Sequence, residues 1–172
     1  MVISKLSMPE LNNHKFNHLK IHTQYSICEG AIKIDNLKDY CKENKIPCLG
    51  LSDTSNLCGA LEFAENISKA GTQPLIGTQI NFRFEDTTGL VPMIALNEKG
   101  YKRIIELSSR SYLENDALSD PHLDIKELLK DTEGVIIFSG TIGGLFGKLF
   151  KKGRLDEIIK LYNNLSLKFN DR

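Results

Sequence analysis

The sequence lacks an excess of charge of either sign and lacks any long hydrophobic run. Its 172 residues include 22 basic and 22 acidic side chains. This balance creates no overall field that would attract nucleic acid or an anionic membrane, so contact with DNA must be local or belong to another part of a larger protein. No stretch approaches the roughly 18 consecutive apolar residues of a membrane span, and the N-terminus lacks a signal-peptide pattern. We expect a cytoplasmic chain without membrane contact.

Cysteine and proline are also scarce. The four cysteines form no CxxC pair, and only 5 prolines accompany 41% hydrophobic residues. Without paired spacing, free thiols behave as small hydrophobic groups, so we predict reduced cysteines that contribute to packing rather than to metal binding. These are Cys28, Cys41, Cys48 and Cys58. The apolar content is enough for the core of one domain of ordinary size, which argues against a disordered chain.

A strand is predicted at residues 16–22, where the sequence alternates with a period close to two. Leu19 and Ile21 fall on one face. The other face carries two imidazoles and an ammonium, from His18, Lys20 and His22. An aromatic ring and a carboxylate, Tyr25 and Glu29, follow before a helical pattern begins. Because ligand sites in parallel α/β folds form where strands end and helices begin, we place the candidate site here.

The rest of the chain alternates predicted strands and helices. Further strands are predicted at residues 48–52, 75–84, 91–96 and 135–139. Helices are predicted at residues 35–44, 57–71, 100–112, 125–130, 145–150 and 155–165, the last with Ile158, Ile159 and Tyr162 facing inward. The segments left over are a loose leader at 1–14, a turn at 85–89 and a loop at 113–123. The alternation favours parallel βα units, with about five strands in all.

Five blocks of sequence carry a resemblance to a known family. In chain order they read FNHLKIHTQYSICEGA, LGLSDTSNLCGALEF, PLIGTQINF, VPMIALNEKGYKRIIELSS and EGVIIFSGTIGG. In order and spacing they resemble the N-terminal PHP domain (polymerase and histidinol phosphatase) of the alpha subunit of bacterial DNA polymerase III. The resemblance implies an α/β fold, a distorted βα barrel of the PHP type, over residues 15–172.

The predicted strands are too few to close such a barrel. About five parallel βα units would leave an open sheet edge with unpaired backbone groups. The final Asp-x-His ligand pair of the family would also lie beyond Arg172. We therefore expect an incomplete barrel, from a fragment of a longer polypeptide or a truncated gene product.

The resemblance also implies a site in which histidines and carboxylates at strand ends hold two or three metal ions that activate water against a phosphoester. In this sequence the opening HxH motif reads Lys20 and His22, and the aspartate that should follow reads Glu29. The Asp-His pair of the second block reads Asp53 and Thr54. Two imidazoles of the pattern are therefore lost at these positions.

The remaining ligand positions depart from the pattern as well. The glutamate of GxE reads Gln79, the histidine before the fourth strand aligns at about Leu90, and the cysteine or histidine after SG reads Thr141. The surviving candidates are His22, Glu29 and Asp53. Because three ligands are too few for a multinuclear cluster, we predict a degenerate site with no metal, no other cofactor and no catalytic residue.

A lysine stands where the family has its first histidine. Lys20 points the same way as His22 from the first strand, and Asp53 ends the neighbouring strand. We therefore expect the Lys20 ammonium to take the place of a metal and to pair with Asp53 or Glu29.

Two weaker features lie near the C-terminal end. A basic cluster could contact phosphate, although a solvated helix terminus that complements the helix dipole is the favoured interpretation. Its members are Lys148, Lys151, Lys152 and Arg154. The SGTIGG run at 139–144 could hold an anion, but it suits a strand-to-helix turn, and no GKS or GKT follows to make it a P-loop.

The resemblance implies a region of a DNA-directed DNA polymerase, a nucleotidyltransferase of chromosomal replication, whose nucleotide addition takes place elsewhere. This segment would support the polymerase fold and dock the proofreading exonuclease subunit, alongside other replicase subunits, with DNA contacted through the rest of the polymerase. One alternative is an active metal-dependent phosphoesterase or pyrophosphatase of the same fold, which alone would need a divalent metal on His22, Glu29 and Asp53. Another is a nonfunctional relic of a split gene.

Overall fold

A computed structural model of the chain describes residues 16–169. The predicted leader at 1–14 lies outside these residues. The helices are α1 Ile34–Asn44, α2 Ala60–Lys69, α3 Glu98–Leu113, α4 Ile125–Lys130, α5 Leu145–Lys151 and α6 Leu155–Phe169. The strands are β1 Cys48–Gly50, β2 Asp53–Thr54, β3 Gln73–Leu75, β4 Gly77–Phe84, β5 Thr87–Ala95, β6 His122–Asp124 and β7 Val135–Ile137. No helix within 16–169 is both long and apolar enough to cross a membrane.

The main sheet is mixed rather than parallel. It runs in the order β2-β4-β5-β7, with β6 also paired to β4, while β1 and β3 form a separate parallel pair. Strands β2 and β6 are parallel to β4, whereas β5 is antiparallel to both β4 and β7. Within the described residues neither sheet closes on itself. The α/β class is confirmed, and the prediction of parallel units throughout is wrong.

The connection between β4 and β5 explains the mixed sheet. Phe84 pairs with Thr87, so only Glu85 and Asp86 join the two strands. A parallel pair needs a crossover of about a dozen residues or more, and a two-residue turn therefore forces the antiparallel arrangement. Glu85 adopts a left-handed conformation with φ of 52°, which such a tight turn requires.

The first predicted strand, at residues 16–22, is reduced to an isolated bridge beside β1. Ile21 bridges Leu51 in parallel, with the Ile21 amide donating to the Gly50 carbonyl at 3.0 Å. Leu19, predicted to share a face with Ile21, is 37% exposed, whereas Ile21 is buried. The chain therefore runs beside β1 but contributes one apolar side chain to the core instead of two.

Two hydrophobic clusters form the core. One lies on the main sheet under α3 and α6, and the other packs α1 and α2 against β1. Phe82 and Phe63 are the largest fully buried side chains of the respective clusters, and Leu57 packs against both. Burial of one such aromatic side chain contributes about 1.5–3 kcal/mol. The two clusters fix the strand ends that carry the candidate site.

Burial corrects two other expectations. In α6 the buried residues are Leu161, Leu165 and Phe169, while Ile159 and Tyr162 are 58% and 62% exposed. Ile158 packs against the core cluster as predicted, whereas the four-residue spacing of the buried residues turns Ile159 and Tyr162 away from it. All four cysteines are free, but only one of them, at position 41, is buried, so packing does not account for the exposed thiols at 28 and 58.

Two side chains of the predicted basic cluster bind the β4–β5 turn. Lys152 Nζ donates to Thr87 Oγ1 at 2.7 Å. Both terminal nitrogens of Arg154 donate to the Asp86 carboxylate, with Nη2 to Oδ2 at 2.8 Å. This pairing holds the pKa of Asp86 well below its usual range, chiefly through the hydrogen bond from Arg154. The cluster therefore connects the hairpin to the C-terminal helices.

Asp86→Asn should cost stability at neutral pH and much less in acid. Because the folded-state pKa of Asp86 is depressed, its stabilising contribution is complete above the unfolded value of about 3.9 and is lost as the pH falls through the folded value. The difference in melting temperature between wild type and variant, measured from neutral pH downward, should shrink below about pH 4. Asp120→Asn in the exposed loop before β6 is the control. A difference that stays constant across this range would contradict the prediction.

Candidate functional site

A cleft of about 270 Å³ lies where several strand ends meet. Its walls combine an ammonium, an imidazole, a carboxylate, a buried amide, a leucine and a hydroxyl. These belong to Lys20, His22, Glu29, Gln79, Leu90 and Thr141, all of them positions identified in the sequence. Pro92 and the loop glycines of the SGTIGG run complete the lining.

The sheet register brings these positions together. Asp53 and Thr54 of β2 pair with Thr78 and Gln79 of β4, so both polar strand ends lie side by side. Leu90 of β5 forms a parallel bridge with the glycine that precedes α5, which brings the loop after β7 to the same edge. The first predicted strand ends beside β1, where Ile21 bridges Leu51. Segments distant in sequence therefore form one cleft.

Asp53 lies behind the cleft with no exposed surface. Its Oδ1 accepts from the Thr23 amide at 2.6 Å and from Ser26 Oγ at 2.7 Å. Its Oδ2 accepts from Thr23 Oγ1 at 2.7 Å. Ser26 Oγ in turn accepts from the Thr54 amide at 3.1 Å. Because charge-assisted hydrogen bonds are the strong ones, these donors stabilise the buried carboxylate without help from a cation.

A second set of hydrogen bonds connects β4 to the loop after the first strand. Gln79 Nε2 donates to Thr54 Oγ1 at 2.7 Å, and Thr54 Oγ1 donates to Glu29 Oε2. His22 Nδ1 lies 3.9 Å from the same Glu29 oxygen. We refer to Gln79, Thr54 and Glu29 as the relay. At its start, Gln79 Oε1 is buried and has no hydrogen-bond partner within residues 16–169.

The sequence of this site matches a known domain family. The model of the PHP domain family matches residues 18–172 of the chain. The chain belongs to the PHP domain family. The resemblance found from the five sequence blocks is thereby confirmed.

The PHP domain described here is similar to DNA polymerase III alpha subunits over most of its length. The subunit of Caulobacter vibrioides is 34% identical, over 96% of this chain and 15% of that protein. The subunit of Rickettsia felis is 35% identical, over 78% of this chain and 11% of that protein. The chain thus spans 15% or less of the length of these two relatives.

A solved structure of an amidohydrolase from Chromobacterium violaceum overlaps part of the fold. The overlap has a TM-score of 0.47 at 16% identity and covers 56% of this chain and 33% of that one.

His22, the one histidine retained from the metal-binding pattern at the candidate positions, favours its neutral form. Partial burial lowers the pKa of His22, and the charge of Lys20 lowers it further, while Glu29 and Asp53 oppose both effects. At neutral pH the contact between His22 and Glu29 therefore joins a neutral ring to a carboxylate and is not an ion pair.

The prediction that Lys20 forms an ion pair with Asp53 or Glu29 is wrong. Among residues 16–169, Lys20 Nζ pairs with neither Asp53 nor Glu29. The hydroxyl and amide donors of Thr23 and Ser26 already surround the Asp53 carboxylate, and the threonine of the relay binds Glu29. Short neutral donors fixed by the backbone reach these oxygens at lower entropic cost than a long ammonium side chain.

The described residues around the cleft do not fit a multinuclear metal centre. The part of the chain that the structure describes holds no group of three or more His, Cys, Asp or Glu side chains placed to bind a metal ion. A cation at Asp53 would compete with the donors of Thr23 and Ser26, and the ammonium of Lys20, which lines the same cleft as His22 and Glu29, would repel it.

Sequence reasoning missed the contacts that hold the loop of the site. Tyr25 donates from its hydroxyl to Glu62 Oε2 of α2 at 2.6 Å. Asn56 Nδ2 donates to the carbonyls of Tyr25 and Thr54, both at 2.9 Å. An asparagine after a polar strand end is a common turn signal, and it could have been recognised. The partner of Tyr25 could not, since it depends on where α2 packs.

Proposed function

We propose that this PHP domain is the PHP region of a DNA polymerase III alpha subunit and acts as a non-catalytic scaffold that docks the proofreading exonuclease subunit. The similarity to alpha subunits supports the placement in a replicase. One observation carries the non-catalytic role: Asp53, the most deeply buried ligand position, already has both carboxylate oxygens occupied by protein donors. A group held in this way is a structural anion rather than a free metal ligand.

In a replicase built this way, the PHP region and the rest of the polymerase have different tasks. Nucleotide addition and DNA contact belong to other parts of the polymerase, because this chain has no net charge to attract DNA and spans 15% of the Caulobacter relative. The PHP region contributes a rigid surface for the exonuclease and for other replicase subunits in the cytoplasm. The relay and the Asp53 hydrogen bonds keep the strand ends in place without a metal.

Two measurements test this proposal. Isothermal titration of the 172-residue chain with the exonuclease subunit of the same organism should show saturable binding, and its absence would contradict the docking role. Phosphoesterase and pyrophosphatase assays with added Zn²⁺ or Mn²⁺ should show no turnover above the buffer rate. Turnover that needs metal and disappears in His22→Ala would instead establish the alternative, an active phosphoesterase that uses His22, Glu29 and Asp53. Lys33→Ala, on the exposed surface before α1, is the control variant for both assays.

A further inference from the structure

A second depression in the surface lies between α3 and the loop that follows β2. It has a volume of about 520 Å³ and shares no lining residue with the cleft. On α3 it is lined by Ile105, Ser108, Ser109 and Tyr112, whose spacing of three and four residues places them along one helix face. The rest of the lining comes from residues 55–58. We refer to this depression as the α3 groove.

Two serine hydroxyls in the α3 groove have no hydrogen-bond partner. Ser55 and Ser108 are each only 8% exposed, and among residues 16–169 neither Oγ atom is paired. A helical serine commonly bonds back to a carbonyl of the preceding turn, as Ser111 Oγ does to the Ser108 carbonyl at 2.7 Å. Buried polar groups are normally satisfied by protein, water or ligand. The hydroxyls of Ser55 and Ser108 are therefore available to a molecule in the groove.

The α3 groove has no charged side chain in its lining, as far as the structure describes the chain. Ile105 and Tyr112, which are 40% and 52% exposed, provide apolar surface at the two ends of the α3 face, with the serines between them. A charged molecule would lose part of its hydration here and would meet no counter-ion. The groove therefore suits a short uncharged molecule that combines a carbon chain with one hydrogen-bonding group.

The α3 groove also contains a reactive group, the thiol of Cys58. This cysteine is exposed and free. Its amide donates to Asn56 Oδ1 at 3.0 Å, and Asn56 Nδ2 donates to the carbonyls of Tyr25 and Thr54 at 2.9 Å. These bonds fix the backbone that carries the thiol. Cys28 is exposed as well but does not line the groove, so it serves as a reference for a thiol without a binding surface.

We propose that Cys58 is a modification site at which the α3 groove directs small uncharged disulfides to the thiol. In this exchange the Cys58 thiolate attacks one sulfur of a disulfide RSSR, a bond forms between Cys58 Sγ and that sulfur, and the bond between the two reagent sulfurs breaks. The leaving thiolate takes up the proton released by Cys58. The protein thiol is thus oxidised to Cys58–S–SR, and the other half of the reagent is reduced to RSH.

Ser108 acts in this exchange as a positioning residue. Its hydroxyl forms a hydrogen bond with the polar group of RSSR, while Ile105 and Tyr112 contact the carbon chain. The inference is independent of the proposed scaffold role, because it concerns a groove that shares no residue with the cleft.

The test measures the rate at which each cysteine of the 172-residue chain is modified, by peptide mass mapping. Three disulfides with the same two-carbon stem are the probes: bis(2-hydroxyethyl) disulfide, diethyl disulfide, which lacks the hydroxyl, and cystamine, which has an ammonium in its place. For each probe, the Cys58 rate in the folded chain is divided by the rate in the urea-unfolded chain, which removes intrinsic reactivity. This ratio should be about 2–10-fold higher for the hydroxyethyl probe than for the other two, as one hydrogen bond predicts. Cys28 should show no such preference.

A variant of the positioning residue separates binding from simple exposure. Ser108→Ala should remove most of the preference of Cys58 for the hydroxyethyl probe and should leave its rate with diethyl disulfide unchanged. Ser68→Ala, at an exposed position of α2, is the control and should keep the preference. Changing the probe and the residue together isolates the contact between the two hydroxyls from structural effects. Cys41, which is buried, should stay unmodified and thereby reports that each variant is folded.

Three results would overturn the inference. The first is an equal Cys58 ratio for all three probes in the wild type, which needs no variant to fold. The second is a preference for the hydroxyethyl probe that is as strong at Cys28 as at Cys58. The third is a preference that survives in Ser108→Ala.

Discussion

Asp53→Ala should lower the free energy of unfolding by about 3–4 kcal/mol, because it leaves several buried donors without an acceptor. The donors are the amide and hydroxyl of Thr23 and the hydroxyl of Ser26, all within 2.7 Å of the carboxylate. For a domain of this size the loss corresponds to a fall in melting temperature of about 6–16 °C. Urea denaturation in EDTA measures it directly.

The EDTA condition makes this experiment decisive about the role of Asp53. If Asp53 were a metal ligand, removing it in EDTA would relieve repulsion and would cost little. Asp39→Ala at an exposed position of α1 is the control and should change stability by no more than about 0.5 kcal/mol. Asp53→Asn, which keeps one acceptor, should fall between wild type and the alanine variant. A loss below about 1 kcal/mol for Asp53→Ala in EDTA would show that the donors do not depend on the carboxylate.

Gly30→Ala is the second large effect, with an expected loss of about 3 kcal/mol. A methyl group at Gly30 would overlap the Thr23 carbonyl oxygen and lie 2.7 Å from the Thr23 carbonyl carbon and 3.0 Å from that of His22. All three are backbone atoms, so no change of rotamer relieves the overlap. The Gly30 amide also donates to the Ser26 carbonyl at 2.9 Å, which closes the loop on itself. Thermal melting and urea denaturation both report the loss.

Gly143→Ala is the matched control in the same cleft. The nearest atom to its new methyl is Thr141 Oγ1 at 3.8 Å, and stability should change by no more than about 0.5 kcal/mol. Gly30→Ala and Asp53→Ala should not be additive, because both release the segment that carries Thr23. Full additivity, or a Gly30→Ala protein as stable as Gly143→Ala, would contradict the close approach described here.

Much of the secondary structure could be predicted from the sequence, and the pairing of strands could not. Apolar periodicity located all the helices to within a few residues, because each buries one face. The short strand β6, His122–Asp124, was predicted as a loop, since three residues before a helix carry no usable period. It exists only because β4 offers it an edge. The antiparallel β4–β5 pair is the exception, because it follows from the short turn between two strands that the sequence does indicate.

The candidate site, like the fold, could be predicted from the sequence only in part. The positions around the cleft came from resemblance to a family, and the structure places them on its walls or directly behind them. The donors to Asp53 could not be foreseen, because Thr23 and Ser26 reach it only through the path of the intervening loop. The ion pair of Lys20 was predicted from its charge and from its expected place on a strand beside the one that ends in Asp53. A carboxylate binds the donors that the backbone brings nearest, and the ammonium was not among them.

The cleft joins the beginning of the chain to the loop that follows β7, and this has a consequence for how the protein folds. The β4–β5 hairpin closes through neighbours in sequence and can form early. The meeting of Lys20 with Thr141 requires nearly the whole chain to be in place first. During synthesis, the wall that Thr141 contributes therefore cannot join the cleft until the ribosome has released β7 and the loop that follows it.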